Sequence, residues 1–181
     1  DEMYRSTEFL IDQLKSEWAG EESLNVLDVG TGGGANLYYI ASEFPKFNFT
    51  GIDINEYFVK EAEEKHSELG IKNTSFKVAG FEDIKEEDNV IGFTQLLEVV
   101  TMDKARALKE ICFQKAKKGV YFLAMFTDKK LDYEINIHDY IYDKVLPYNI
   151  YSIPQINNLA LKYGFRLTNS EEFVINMELP D

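Results

Sequence analysis

Cysteine is almost missing from this chain: Cys112 stands alone among 181 residues. One thiol can neither close a disulfide within the chain nor build a cysteine metal cluster, and such usage fits a reducing, cytoplasmic setting. Cys112 falls in a helical apolar stripe, so core filling is expected of it rather than nucleophilic chemistry. Positive charge is scarce as well. Lys and Arg number 19 against 32 Asp and Glu, a net charge of −13. A surface of that sign repels phosphate backbones and anionic lipid, which speaks against nucleic acid and membrane partners. The compact basic run Lys115-Ala116-Lys117-Lys118 closes a helix, where cations suit the dipole. Apolar runs stay well short of the ~20 residues of a membrane span, and no signal-peptide pattern opens the chain. Asp1 rather than Met comes first, so a natural start further upstream is expected. Repeats, low-complexity tracts and flexible linkers are absent too. One domain over residues 1–181 is therefore expected.

What is present starts with a hydrophobic content of 45%, enough for a real core. The stretch Leu24-Asn25-Val26-Leu27-Asp28-Val29-Gly30-Thr31-Gly32-Gly33-Gly34-Ala35-Asn36-Leu37 organises the rest. Val26, Leu27 and Val29 read as a strand, the glycines as a turn, and Leu37, Ile40, Ala41 and Phe44 as one face of a helix. A glycine turn in that context takes positive φ and lets a ligand approach closely, while the helix offers unpaired N–H groups to an anionic group. Asp28 sharpens the reading. A carboxylate aimed into the turn repels a pyrophosphate and suits a ligand with an ammonium group, or one held through bridging water.

Asp-Val-Gly-Thr-Gly-Gly-Gly resembles motif I of the class I S-adenosylmethionine-dependent methyltransferases, in which the turn wraps the methionine part of the cofactor. The resemblance runs clearly from Leu24 to Phe126 and loosely beyond. It implies an α/β fold, a three-layer Rossmann-like sandwich with a mostly parallel sheet of six or seven strands and helices on both faces. It also implies S-adenosyl-L-methionine as cofactor, with Asp28, Gly30, Thr31 and Gly32 at the motif I turn. Phe47 to Ile54 reads as a second strand ending in Asp53, 21 residues after Gly32. An acid there is placed to accept both ribose hydroxyls, as in motif II of the family, with Ile54 beside it. Val78-Ala79-Gly80-Phe81-Glu82-Asp83 resembles the adenine segment. Gly80 aligns with the usual acid and Phe81 with a backbone N–H donor, so adenine recognition falls to backbone groups or to Asp83 or Glu82. Asn89 to Gln95 followed by Leu96-Leu97-Glu98-Val99-Val100 resembles motif IV, with Gln95 and Leu96 facing the methionine moiety. Asn89 replaces a common acid there, and Val99 a common histidine.

Other segments take their places around these. Leu10, Ile11, Leu14 and Trp18 mark an opening amphipathic helix, with Tyr4 and Arg5 at its solvated start. Asn55 reads as an N-cap, and Val59, Ala62, His66 and Leu69 as the next stripe, which makes His66 a structural histidine. Thr74 to Ala79 reads as a third strand, Asp103 as the cap of a helix through Cys112, and Val120 to Phe126 as a parallel strand buried on both faces. Lys129 to Tyr151 is an aromatic-rich insertion with Tyr133, Tyr140, Tyr142, Tyr148 and Tyr151, five of the eleven tyrosines. It reads as a partly helical cover or a dimer contact, or else as an acceptor pocket in which tyrosines face a sulfonium. His138 is the histidine best placed there to accept a proton. Ser152-Ile153-Pro154-Gln155 is a capping box opening a helix to Gly164. Phe165 to Leu179 is either a short hairpin or one long strand.

The expected activity is in-line methyl transfer to oxygen or nitrogen of a small molecule, with no metal, no named catalytic base and a possible homodimer. Two other readings stay open. Gly30-x-Gly32-x-x-Ala35 also approximates a nicotinamide dinucleotide fingerprint, although Asp28 and the lack of a Tyr-x-x-x-Lys set oppose an NAD(P)-dependent oxidoreductase. A non-catalytic Rossmann-like binding module is the third.

Overall fold

The computed structural model describes residues 3–85, 90–141 and 143–170. Five strands form the central sheet: β1 (Asn25–Val29), β2 (Asn48–Asp53), β3 (Thr74–Val78), β4 (Val90–Thr94) and β5 (Gly119–Leu123). Their order is β3-β2-β1-β4-β5 and every pairing is parallel. β1 lies in the middle, with Val26 in register with Phe49 of β2 on one side and Val90 of β4 on the other. The chain therefore reverses its direction of travel across the sheet at β1 and β4. In an open parallel sheet that reversal leaves a crevice at the carboxyl ends of the strands, where ligands bind.

Helices cover both faces because alternate side chains of each strand point opposite ways. Val26 joins a cluster with α1 (Arg5–Glu17), α2 (Ala35–Glu43) and α3 (Glu56–Glu68), through Leu10, Leu37, Ile40 and Ala62. Leu27 and Val29 turn to the other face and pack with α4 (Met102–Lys115) and α5 (Ile153–Lys162), through Leu108, Cys112 and Ile156. Cys112 is fully buried, and burial pushes its thiol well above the usual range, so it fills the core. Three layers result, as expected.

The strand count differs from the expected six or seven. Beyond β5 the chain breaks at Ala124 and Met125, then forms a separate sheet from β6 (Phe126–Thr127), β7 (Tyr133–Asp139) and β8 (Lys144–Ser152). β7 and β8 are an antiparallel hairpin, and β6 runs parallel to β8. The aromatic insertion is thus built from strands rather than a partly helical cover; its Tyr142 lies outside the described residues, as does Asn89 before β4. β5 is half-buried along its whole length instead of buried on both faces, because it is the edge of the central sheet. Residues 165–170 carry no regular structure, and the rest of the expected hairpin or long strand, 171–179, lies outside the described residues.

Two helix starts also differ. Thr101, not Asp103, caps α4, its Oγ1 accepting the Lys104 N–H at 3.4 Å. Ser152 accepts the Gln155 N–H at 3.2 Å, but Gln155 donates to the Lys130 carbonyl instead of completing the box. The Ser152 N–H goes to Asp132 at 2.8 Å. Tertiary partners outcompete the local reciprocal bond in both sheets' connecting region.

Candidate functional site

The crevice at the carboxyl end of β1 is lined by the glycine turn. Gly30 and Thr31 both donate their N–H groups to the Ile52 carbonyl, at 2.8 and 3.0 Å, which ties the turn to β2. Gly30 has φ 73°, and a Cβ there would stand 2.7 Å from Leu96 Cδ1, so the turn packs directly on the residue after β4. Gly32 has φ 54° with no heavy atom within 4 Å of a Cβ built on it. That is a backbone open to an incoming ligand. Behind the turn, His66 Nε2 donates to the Gly34 carbonyl at 3.0 Å, which leaves Nδ1 to accept the Thr74 hydroxyl at 3.0 Å. Burial lowers the His66 pKa, so the ring holds the start of α2 as a neutral group. Helical spacing places His66 in the core but holds no hint of this bond.

Asp28 sits under the turn, 1% exposed, and its Oδ1 has no hydrogen-bond partner among the described residues. Burial raises its carboxyl to about 7, with the nearby Thr31 hydroxyl pulling it back and the Asp53 charge adding to the rise. The Tyr121 hydroxyl, from β5, is buried close by and likewise unpartnered, its pKa raised by burial and by Asp28. A buried acceptor without a donor is costly unless something fills the place. Asp53 lies at the end of β2 and spans the crevice. Its Oδ2 accepts the Gly32 N–H at 3.0 Å and its Oδ1 the Asn55 N–H at 2.9 Å. Each carboxylate oxygen keeps a second lone pair for a ligand hydroxyl.

The other candidates border this crevice on two sides. Ile54 is 79% exposed just past Asp53, an apolar platform at the strand end. Gly80 follows β3, and its N–H is taken by Asp83 Oδ2 at 3.0 Å, so Asp83 serves the local turn that Phe81 opens. On the β4 side, Gln95 is exposed with φ 59°, a left-handed conformation that a non-glycine residue adopts at a cost of order 1–3 kcal/mol. Its N–H bonds the Leu123 carbonyl at 2.8 Å, and Leu96 then reaches back to Gly30. The structure thus brings Asp28, Gly30, Thr31, Gly32, Asp53 and Leu96 together at one crevice.

Reasoning from sequence missed how the motif IV turn is held. Asn149 of β8 donates to the carbonyls of Leu97 and Val100 at 3.2 and 2.6 Å, and the Tyr151 hydroxyl donates to Leu97 at 2.6 Å. Both side chains are fully buried. Glu98 in the same turn is buried too, with its carboxyl raised by burial and held back by the Met125 N–H. His138 is paired with Val145 further up the hairpin, roughly 20 Å along the strand from Tyr151. It bonds Asp143 at 2.9 Å and is not brought to the crevice. Tyr4 caps α1 from solvent and also stays apart.

With that geometry in place, residues 21–156 match a methyltransferase domain family over three quarters of the chain. The chain belongs to this methyltransferase domain family. It is 39% identical over 70 residues to the release factor glutamine methyltransferase of Fusobacterium nucleatum, covering 39% of this chain and 20% of that protein. It is 43% identical over 53 residues to a tRNA (guanine-N(7)-)-methyltransferase of Synechococcus, covering 29% and 22%. The matched stretches therefore span about a fifth of the length of those curated relatives. Among solved structures, the chain resembles magnesium protoporphyrin IX methyltransferase of Synechocystis with bound S-adenosylmethionine, at TM-score 0.65 and 16% identity over 94% of this chain and 74% of that one.

That neighbour holds S-adenosylmethionine, and the residues of this crevice fit such a cofactor. Asp28 offers an unsatisfied buried acceptor, Gly32 an open backbone and Ile54 an exposed apolar surface beside Asp53. The nicotinamide reading falls with the family match. Among the described residues no group of three acidic, histidine or cysteine side chains could hold a metal, and no helix is long and apolar enough to cross a membrane.

Proposed function

We propose that this chain methylates oxygen or nitrogen of a small-molecule acceptor in the cytoplasm, with residues 1–181 acting as one domain. The observation that carries this reading is the buried, unpartnered Oδ1 of Asp28 just before a glycine turn whose Gly32 backbone is open. Bound S-adenosylmethionine supplies a methyl group already activated by sulfonium, so the protein's part is alignment and exclusion of water. Asp28 accepts from the cofactor's ammonium, directly or through water, and Gly30, Thr31 and Gly32 wrap its methionine portion. Asp53 accepts the ribose hydroxyls with the lone pairs it does not spend on Gly32 and Asn55. Ile54, Gly80 and Phe81 flank the adenine, and Gln95 and Leu96 close the floor beneath the reacting end.

Net charge of −13 favours a small acceptor over the nucleic acid that the name of one relative mentions. Calorimetry with S-adenosylhomocysteine, followed by transfer assays on a panel of hydroxyl and amine acceptors, tests the proposal. Micromolar binding with transfer to a small acceptor is the expected result. Binding without transfer to any member, or transfer only to RNA or to a protein, would replace it.

A further inference from the structure

Asp28 stands in a row that crosses the whole central sheet. It is in register with Gly51 of β2 on one side and with Gly92 of β4 on the other. Gly51 is in turn in register with Phe76 of β3, and Gly92 with Tyr121 of β5. Residues in register share a face of the sheet. Both neighbours of the one carboxylate are therefore glycine, and larger side chains lean in over them. A Cβ on Gly51 would stand 2.7 Å from Phe76 Cδ1 and 2.8 Å from Thr31 Cγ2. A Cβ on Gly92 would run into the Tyr121 ring at Cζ and at its hydroxyl.

The Tyr121 ring thus lies over Gly92, which puts its hydroxyl about one strand spacing, ~4.8 Å, from Asp28. Trp18 meets the ring edge-on at 6.2 Å and helps to hold it there. A phenyl ring would make the same apolar contacts, so packing does not account for the oxygen. That oxygen is buried with no hydrogen-bond partner among the described residues, and the same holds for Asp28 Oδ1 and Thr31 Oγ1. Buried hydroxyls and carboxylates are ordinarily bonded. Here three such oxygens, from β1, the glycine turn and the edge strand β5, gather at one point of the sheet. An ammonium carries three N–H donors, and a carboxylate with two hydroxyls offers three acceptors.

We infer that Tyr121 is a positioning residue for the aminoacyl end of the cofactor: its hydroxyl, with that of Thr31, completes the subsite in which Asp28 meets the ammonium. The inference rests on the proposed reading of the crevice as an S-adenosylmethionine site. An ammonium, or a water bound to it, that reaches both Asp28 and Tyr121 ties them into one network. Within that network the phenol supports the charged form of Asp28, which burial alone disfavours. The two glycines are what let a residue of the sheet edge act at the sheet centre. A nucleoside without the aminoacyl arm makes none of these bonds, so Tyr121 selects for the arm.

Calorimetry of the full chain with two probes tests this. One is S-adenosylhomocysteine; the other is 5′-methylthioadenosine, which keeps the nucleoside and the sulfur but lacks the aminoacyl arm. Tyr121→Phe keeps the ring and removes only the oxygen. It is expected to weaken S-adenosylhomocysteine about tenfold and to leave methylthioadenosine unchanged. Added to Asp28→Asn it costs nothing further, where independent effects would multiply. The free variant melts no lower than the wild type, because the lost hydroxyl bonds none of the described residues. Equal weakening of both probes with a lower melting temperature marks a packing role and overturns the inference. So does S-adenosylhomocysteine binding that Tyr121→Phe leaves intact, and in that case the reading of the crevice still stands. If the wild type binds neither probe, that reading falls and the role of Tyr121 with it.

Discussion

Asp28 shows how a single side chain carries a functional cost. With its carboxyl raised from 3.8 to about 7, the folded chain binds a proton there that the unfolded chain releases. Stability contributed by the neutral form is whole below the unfolded value and lost as pH rises through the folded one. Free of ligand, the protein is expected to lose about 4 kcal/mol between pH ~4 and ~7 from this group. Asp28→Asn removes that slope, which urea titrations across the range will read. Cofactor affinity has the opposite trend. An ammonium prefers the carboxylate, so S-adenosylhomocysteine binding should strengthen toward pH ~7 and then level off, with about tenfold weaker binding for Asp28→Asn. A flat pH profile in calorimetry would detach Asp28 from the ligand. Gly32→Val separates fold from binding in another way. Its site is open, so only the strain at φ 54° is felt, about 1–2 kcal/mol, while ligand binding is expected to vanish.

Strands and helices add a second kind of control, because β8 holds the turn on which Gln95 and Leu96 stand. Asn149→Leu leaves the Val100 carbonyl without its donor and the Leu97 carbonyl with the Tyr151 hydroxyl alone, an expected loss of about 2 kcal/mol in thermal or urea unfolding. Tyr151→Phe breaks one bond to Leu97 and should cost about 1 kcal/mol, with a higher KM for the cofactor as the turn loosens. Beside them Lys109 is buried with its ammonium 3.8 Å from Asp132 and 4.1 Å over the Tyr151 ring. Burial lowers the Lys109 pKa while Asp132 opposes the fall. Lys109→Met strands the Asp132 carboxylate in the interior, and about 3 kcal/mol of stability is expected to go with it. None of this was legible beforehand. Asn149 and Leu97 lie 52 residues apart, and no periodicity connects a hairpin strand to a distant turn.

For the molecule as a whole, the test is linkage. Saturation with S-adenosylhomocysteine at ~100 times its Kd should raise the melting temperature by roughly 5–10 °C, whereas NAD leaves it unchanged. That contrast follows from an open parallel sheet whose order reverses at β1, with an acid under the glycine turn instead of space for a pyrophosphate. Whole-chain charge leaves a different mark: at −13, association with anionic polymers should be negligible even in low salt.

Local chemistry determined the elements and the turn. Val26 to Val29, the glycines and the α2 stripe are short-range patterns, and Asp53 follows at a distance set by one strand-helix-strand unit. The misread pieces share a different cause. β5 reads as doubly buried because its apolar content says nothing about which strand ends the sheet. The insertion reads as helical cover because tyrosines fit either structure, and pairing with β8 settles it. Gln155 and Asp103 lose their expected roles to the Lys130 carbonyl and to Thr101. Residue type and spacing fix what a segment can form, since steric and hydrophobic preferences act within a few residues. Only packing across the sheet decides which buried polar atoms find partners, and so which ones, like Asp28, are left for a ligand.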